Sequence, residues 1–501
     1  MNLSSASLPG LSQATANLRC IVSLFLGLLS PVHAAESVTL AWDAERAVGY
    51  RLHYGTASGN YTQIQDVGNR TMATVSNLTA GQTWFFVVTA YNAGGESPPS
   101  NEVSFRATMD APMLAMLPNG NVRLTVTDAV GQTDSVYVSS DLQKWTLLIT
   151  AANKTGILLV DDPDAQSRDR RFYRVADSTA VTDPVGFITL PIAGVSGTEA
   201  RAFSCLGISL MNPVSYQGKI TSSGHHSITD VKASWTADEF NGANGEYFME
   251  IISGPYAGVM TDILAANVTA KTLTTYDDLS SLLTGGELYR IRRHRTLGDV
   301  FGENNKSGLT GGSSVSEADE VMVLNPVTQT FLTFYFKTGG FGGRGWRSVT
   351  DAVIDASGTT LYPDQGVLIV RKVVGDINLI LAGTVKTGPT IVPVGANINL
   401  IANIYPAGTL TVANSGLHRA DDSLGLAGGE TVSSADEVRI YNGVRFLELF
   451  YKTGGFGGSG WRNSNDAVAD AGNTKIPPGS SIYVIRKFGR PDFNWKIPQP
   501  F

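Results

Sequence analysis

Short runs of alternating apolar and polar residues recur along the whole chain. Val38, Leu40 and Trp42 alternate, as do Tyr50, Leu52 and Tyr54, and Val122-Arg123-Leu124-Thr125-Val126. Ser135-Val136-Tyr137-Val138-Ser139, Arg171-Phe172-Tyr173-Arg174-Val175 and Val367-Leu368-Ile369-Val370-Arg371 read the same way. Period two places successive side chains on opposite faces of an extended chain, so each run predicts a strand with one buried face. Gly and Pro stand between the runs, as at Gly94, Gly95, Pro98 and Pro99, which end the strand over Trp84–Asn92. The pattern predicts an all-β, multidomain protein of sandwiches and repeated β units. Only Thr275 to Leu283 hints at a short helix.

Residues 318–372 and 435–487 are copies of each other. Both open with Ala-Asp-Glu-Val, at Ala318 and Ala435. Both carry Lys-Thr-Gly-Gly-Phe-Gly-Gly, at Lys337 and Lys452, and continue into Gly345-Trp346-Arg347 and Gly460-Trp461-Arg462. Both close on Arg-Lys, at Arg371 and Arg486. Residues 245–294 read as a diverged third copy, and Ile398 to Thr411 faintly echoes Ile208 to Thr221. Repetition of one β unit is the reading. The organisation expected is residues 35–107 and 108–178 as two small sandwiches, 179–302 as a diverged unit and 303–501 as two repeat units.

The first sandwich resembles a fibronectin type III domain, from Ser37 to about Arg106. The early Trp42, the strand from Gly49-Tyr50-Arg51-Leu52 and the segment Leu78-Thr79-Ala80-Gly81-Gln82-Thr83-Trp84 carry the likeness. That segment normally ends in the tyrosine that corners the sandwich; here Trp84 stands there, with one indole N–H to donate. The resemblance implies a spacer or binding module and names no ligand. Residues 108–178, with Ser140-Asp141-Leu142 before Trp145 and the ending Arg171–Val175, resemble a small sandwich module of large exported bacterial proteins. From about Asp183 to Phe501 the chain is similar to an uncharacterised family of exported proteins of verrucomicrobial type. Asp183-Pro184-Val185-Gly186-Phe187, Tyr289 to His294, Leu297 to Gly302 and Pro498-Gln499-Pro500-Phe501 carry this likeness, which implies no activity.

The first 34 residues read as a signal peptide. An apolar run from Ile21 to Leu29 follows Arg19, and Val32-His33-Ala34 precedes Ala35 with the small residues a signal peptidase needs. The run is too short to cross ~30 Å of hydrocarbon, so cleavage is expected over anchoring, with a secreted, periplasmic or cell-surface destination. Cleavage removes Cys20 and leaves Cys205 as the one cysteine, which excludes an internal disulfide. It also removes Arg19 and no acid, so the net charge of −7 becomes more negative. An acidic chain does not offer nucleic acid the basic face it needs. Glycine is abundant at 54 residues, which suits a turn-rich β protein.

Candidate chemistry is sparse. The Gly-Gly-Phe-Gly-Gly segments are no phosphate loop, because lysine precedes the glycines and tryptophan follows. Trp346 and Trp461 could stack on sugar faces while Arg347 and Arg462 hydrogen-bond; the alternative is a tight turn with Trp in the core and Arg stacked over it. Asp161, Asp162 and Asp164 around Pro163 could take calcium, or form an ordinary Asp-Pro turn. His225 and His226, if on a strand, diverge and cannot ligate together. Arg290 to Arg295, with His294, reads as a solvated strand face or a contact for an acidic polymer. Asp319-Glu320 and Asp436-Glu437 could suggest paired glycosidase acids, but adjacent strand positions diverge and each pair lies in a separate copy. No nucleophile elbow and no metal or cofactor motif is present. The expected function is binding or structural at the cell exterior, with extracellular polysaccharide or other surface proteins as partners. The alternative is a polysaccharide-active enzyme with an unfamiliar site.

Overall fold

The computed structural model describes residues 19–22, 36–78, 82–106, 110–177, 180–235, 239–240 and 245–501. Strands dominate throughout. The one α-helix among these residues is the single turn Leu297–Phe301, not the stretch expected over 275–283. There, the strand Thr272–Thr275 ends and turns follow. Asp278 accepts from the Ser280 N–H, the use of an aspartate that favours turns over helix interiors. The true helix starts with a capping box, Thr296 and Asp299 exchanging side chain-to-backbone bonds.

The N-terminal sandwich packs Glu36–Ala41 and Met72–Leu78 against a sheet in the order Gln63–Gly68, Gly49–Gly55, Thr83–Asn92. Val103–Arg106 also pairs with Thr83–Asn92. Val38, Leu40, Trp42, Tyr50, Leu52, Phe86 and Val88 fill the core. Of the expected leader, only Arg19–Val22 lies among the described residues; it pairs antiparallel with Glu36–Ala41. The corner differs from the expectation. Trp84 packs against Tyr54, 6.0 Å between ring centroids, and its indole N–H has no partner among the described residues. Tyr50 makes the tie instead: its hydroxyl accepts from the Glu45 N–H at 2.7 Å.

In the second module, Val122, Leu124 and Val126 are buried on the strand Val122–Thr127 while Arg123 and Thr125 stand outward, as the alternation dictates. Its other sheet runs on past residue 178. The order is Thr146–Ala152, Thr133–Ser139, Arg170–Ala176, Val185–Ile192, Ile377–Val385, Leu210–Met211.

Three ladders share one strand order. In the first copy the order is Ala202–Gly207, Gly366–Arg371, Glu320–Asn325, Thr330–Lys337, Gly345–Ser348. In the second it is Asn397–Ala402, Ser481–Arg486, Glu437–Tyr441, Phe446–Lys452, Gly460–Asn463. The diverged unit repeats it as Val214–Lys219, Leu288–Arg293, Tyr247–Ile251, Met260–Asn267, Thr272–Thr275, then adds Ser227–Thr229 and Ser222–Gly224. Ala202 pairs with Arg371 and Asn397 with Arg486, so Phe203, not Ile208, is the structural counterpart of Ile398. The sheets also cut across the boundary expected at 302. The first copy's leading strand lies before the diverged unit and the rest of that copy after it, so the diverged unit sits as an insertion within the first copy.

Candidate functional site

The repeated glycine turn is built from the inside. Lys337, 7% exposed, sends its ammonium to the backbone carbonyls of Phe341 and, at 3.0 Å, Ala352. Arg347 donates to the carbonyls of Trp346 (2.7 Å) and Gly342 (2.5 Å) and pairs with Asp355 at 3.1 Å. Lys452 and Arg462 do the same in the second copy, to Phe456, Ala467, Trp461 and Gly457. Buried cations bonded to these carbonyls hold each turn to one shape. Gly342 has φ +87, and a Cβ there would stand 2.7 Å from the Ala352 carbonyl oxygen, so only glycine fits.

This corrects the sugar-platform reading of Trp346, Arg347, Trp461 and Arg462. All four are at most 5% exposed. Trp346 lies in the core against Phe301 and Phe336, its indole N–H on the Gly302 carbonyl at 2.9 Å. Nor does arginine stack over tryptophan. Adjacent strand residues face opposite ways, so Trp346 enters the core while Arg347 turns to the loop carbonyls. The aromatic rings left outside are Phe341 and Phe456, at the turn tips.

The remaining sequence candidates are also engaged structurally. Asp161 pairs with Arg123, while Asp162 takes Arg171 and the Tyr173 hydroxyl and caps the 3-10 turn containing Asp164, so the three carboxylates do not converge. Asp319 binds Arg371 at 3.2 Å and Glu320 binds Lys372 at 2.6 Å. Asp436 and Glu437 bind Arg486 (3.1 Å) and Lys487 (2.6 Å). These acids are ion-paired clasps, not a cleft-facing pair. His225 and His226 form the two-residue turn of a hairpin rather than a strand, with His226 at φ +48 and the rings 4.5 Å apart.

The cationic run is a clasp too, not a solvated face or a polymer contact. Arg290 pairs with Asp183 at 3.0 Å, and His294 with Asp262 at 2.8 Å. Arg292 reaches the Asn212 carbonyl and the Thr384 hydroxyl, both at 2.7 Å, and burial lowers its pKa to about 10. Arg295 donates to the carbonyls of Leu210 and Ala382. Cys205 is buried and free, its thiol pushed up to about 12 by that burial.

A site that the sequence reading missed is an open groove of about 630 Å³ in the last unit. Three segments line it: Gly388-Pro389, Ala413 to Arg419, and Lys496 to Gln499. Trp495 and Ile497 point into the core from the strand Phe493–Ile497, which turns Lys496 outward. The Trp495 indole N–H bonds the Ser415 carbonyl at 2.8 Å and so fixes the middle segment. His418 donates from Nδ1 to the Leu426 carbonyl at 2.8 Å, which leaves Nε2 as an acceptor, and its ring stacks on Tyr451 at 3.4 Å. Asn414 bonds the Thr411 N–H and the Thr409 carbonyl; Gln499 bonds the Gly388 N–H and the Phe501 carbonyl. Each amide keeps one N–H and one lone pair free. A volume in this range suits a small ligand. By contrast, the recess beside His294 holds only about 10 Å³, room for one water.

Residues 31–106 match the fibronectin type III domain. A Kelch domain-containing protein of Saccharolobus solfataricus is 37% identical over 94 residues, which cover 18% of this chain and 13% of that protein's length. Among solved structures, a two-domain fibronectin type III segment of chicken tenascin aligns with 34% of this chain and 97% of its own, at 12% identity and TM-score 0.25. The ligand-binding domain of human OSCAR covers 34% of this chain and 96% of its own, at 14% identity and TM-score 0.16. The chain is thus an all-β protein with an N-terminal fibronectin type III domain, an architecture of binding and structural proteins. Among the described residues no helix is long and apolar enough to cross a membrane.

Proposed function

We propose that the protein is exported and binds extracellular saccharide through the groove of its last unit, with the N-terminal sandwiches as spacers. The observation that carries this is the groove itself: roomy, open to solvent, and lined by His418, Asn414 and Gln499 with unused hydrogen-bonding capacity. Saccharides demand many hydrogen bonds from a solvent-open cleft, and side-chain amides and imidazole supply them. The leader pattern before Ala35 supports export. An enzymatic reading gains nothing from Asp319-Glu320 or Asp436-Glu437, which are neutralised in ion pairs. The test is a polysaccharide array with the secreted chain, its N-terminus sequenced first. Retention on saccharide and an N-terminus at Ala35 are expected; an intact Met1 form in the cytoplasm, or no retention, refutes the proposal.

A further inference from the structure

We infer that the groove selects an anionic saccharide, with Arg419 and Lys496 taking its carboxylate or sulfate and His418, Asn414 and Gln499 its hydroxyls. This rests on the saccharide reading above and adds the charge. Arg419 and Lys496 are exposed in the groove and have no ion pair or side-chain hydrogen bond among the described residues. Neighbouring acids are occupied. Asp422 pairs with Arg490 at 3.2 Å, Asp470 with Arg462 at 3.4 Å, and Asp421 accepts from the Ser423 N–H and hydroxyl. The Arg419 guanidinium lies over Gly416, where a Cβ would come within 3.1 Å of it.

Comparison of the two copies isolates these positions. Counting back from the shared Gly308-Leu309-Thr310-Gly311-Gly312 and Gly425-Leu426-Ala427-Gly428-Gly429, Phe301 and Gly302 stand where the second copy has His418 and Arg419. Asp376-Ile377-Asn378-Leu379 and Asp492-Phe493-Asn494-Trp495 match likewise, which sets Ile380 against Lys496. In the first copy Phe301 closes on Trp346, which packs in turn against Phe336. The second copy thus carries His418 and two cations, Arg419 and Lys496, where the first has Phe, Gly and Ile, and all three line the groove. Fold maintenance does not require the two cations, whose exposed side chains make no bond among the described residues. Convergent cations with no internal partner are what an anion needs.

The experiment is calorimetric titration of the secreted chain with hexagalacturonate, its fully methyl-esterified form and a sulfated hexasaccharide. The ester keeps the skeleton and removes the charge. The expected result is binding to hexagalacturonate or the sulfated sugar at least about tenfold tighter than to the ester, one charge-assisted contact's worth. That preference should vanish in the Arg419→Ala/Lys496→Ala variant while its melting curve stays unchanged. If either single-Ala variant unfolds, Arg419→Gln and Lys496→Gln replace them. Equal binding of ester and acid overturns the anionic selectivity and leaves the saccharide reading standing. Acid binding that survives the variant places the anion elsewhere and overturns the inference. No binding of any of the three overturns both.

Discussion

Replacing Trp346 with alanine tests whether the repeated turn is scaffold. The indole is fully buried in the largest core cluster and meets Phe301 and Phe336 at ring separations of 5.9 and 5.5 Å. Truncating such a residue loses its transfer free energy and leaves a cavity walled by rigid strands, about 3–5 kcal/mol. Removing the indole N–H also strands the Gly302 carbonyl, at a further cost of about 1 kcal/mol. Trp346→Phe keeps most of the packing and loses the bond, so it should cost distinctly less than alanine. Guanidinium denaturation followed by circular dichroism reads both. The expected result is a large fall in the midpoint for alanine, a smaller one for phenylalanine, and unchanged saccharide retention for any variant still folded. An unchanged midpoint for Trp346→Ala with loss of retention would refute the burial argument and restore the sugar platform.

Cys205 should resist thiol reagents in the native protein and react on unfolding, because burial pushes its thiol up to about 12 and only the thiolate attacks; thermal melts with and without reductant should coincide, and rapid native labelling contradicts this. Burial alone would raise the Glu437 carboxyl, but bonds from Lys487 and Arg439 outweigh it and hold the group below its ordinary value of 4.5. A lowered folded value stabilises above pH 4.5, and that contribution is lost as pH falls through the folded value. Glu437→Gln should therefore be less stable than wild type at pH 7 and lose less stability on acidification below 4.5; parallel pH profiles of the denaturation midpoint would contradict it.

The strands were legible because their physics is local. Val122, Leu124 and Val126 alternate with Arg123 and Thr125 in sequence, and a half-buried strand has no other way to satisfy that order. The turns were legible in place but not in content. Gly339 to Gly345 announced a turn, yet the burial of Lys337 and Arg347 follows from carbonyls contributed by the turn itself and by Ala352, which no periodicity encodes. The helix was misplaced because Thr275 to Leu283 has helical spacing but turn-forming aspartates, whereas Thr296 and Asp299 spell a capping box before an apolar pair. The groove was not legible from pattern. Its lining comes from residues 388–389, 413–419 and 496–499, each unremarkable alone, and the strand pairing of Thr390–Val394 with Phe493–Ile497 joins two of them.

Duplication supplies an internal control that one copy cannot. Where the copies agree, a requirement shared by both must be acting, and binding one ligand is not such a requirement unless both bind. Lys337 and Lys452, Arg347 and Arg462, Asp319 and Asp436 make the same bonds in both copies. They therefore belong to the architecture, however chemical they look. Where the copies differ, the architecture they share does not fix the residue, and the difference needs another cause. Phe301 against His418, Gly302 against Arg419 and Ile380 against Lys496 are such differences, and they converge on one groove. Transplanting the pair as Gly302→Arg with Ile380→Lys would not recreate that groove, because Phe301 still fills the space against Trp346 and a Cβ at Gly302 would meet the Lys306 backbone at 2.8 Å. In the second copy no phenylalanine fills that space, and the His418–Tyr451 stack stands in its place beside the charges.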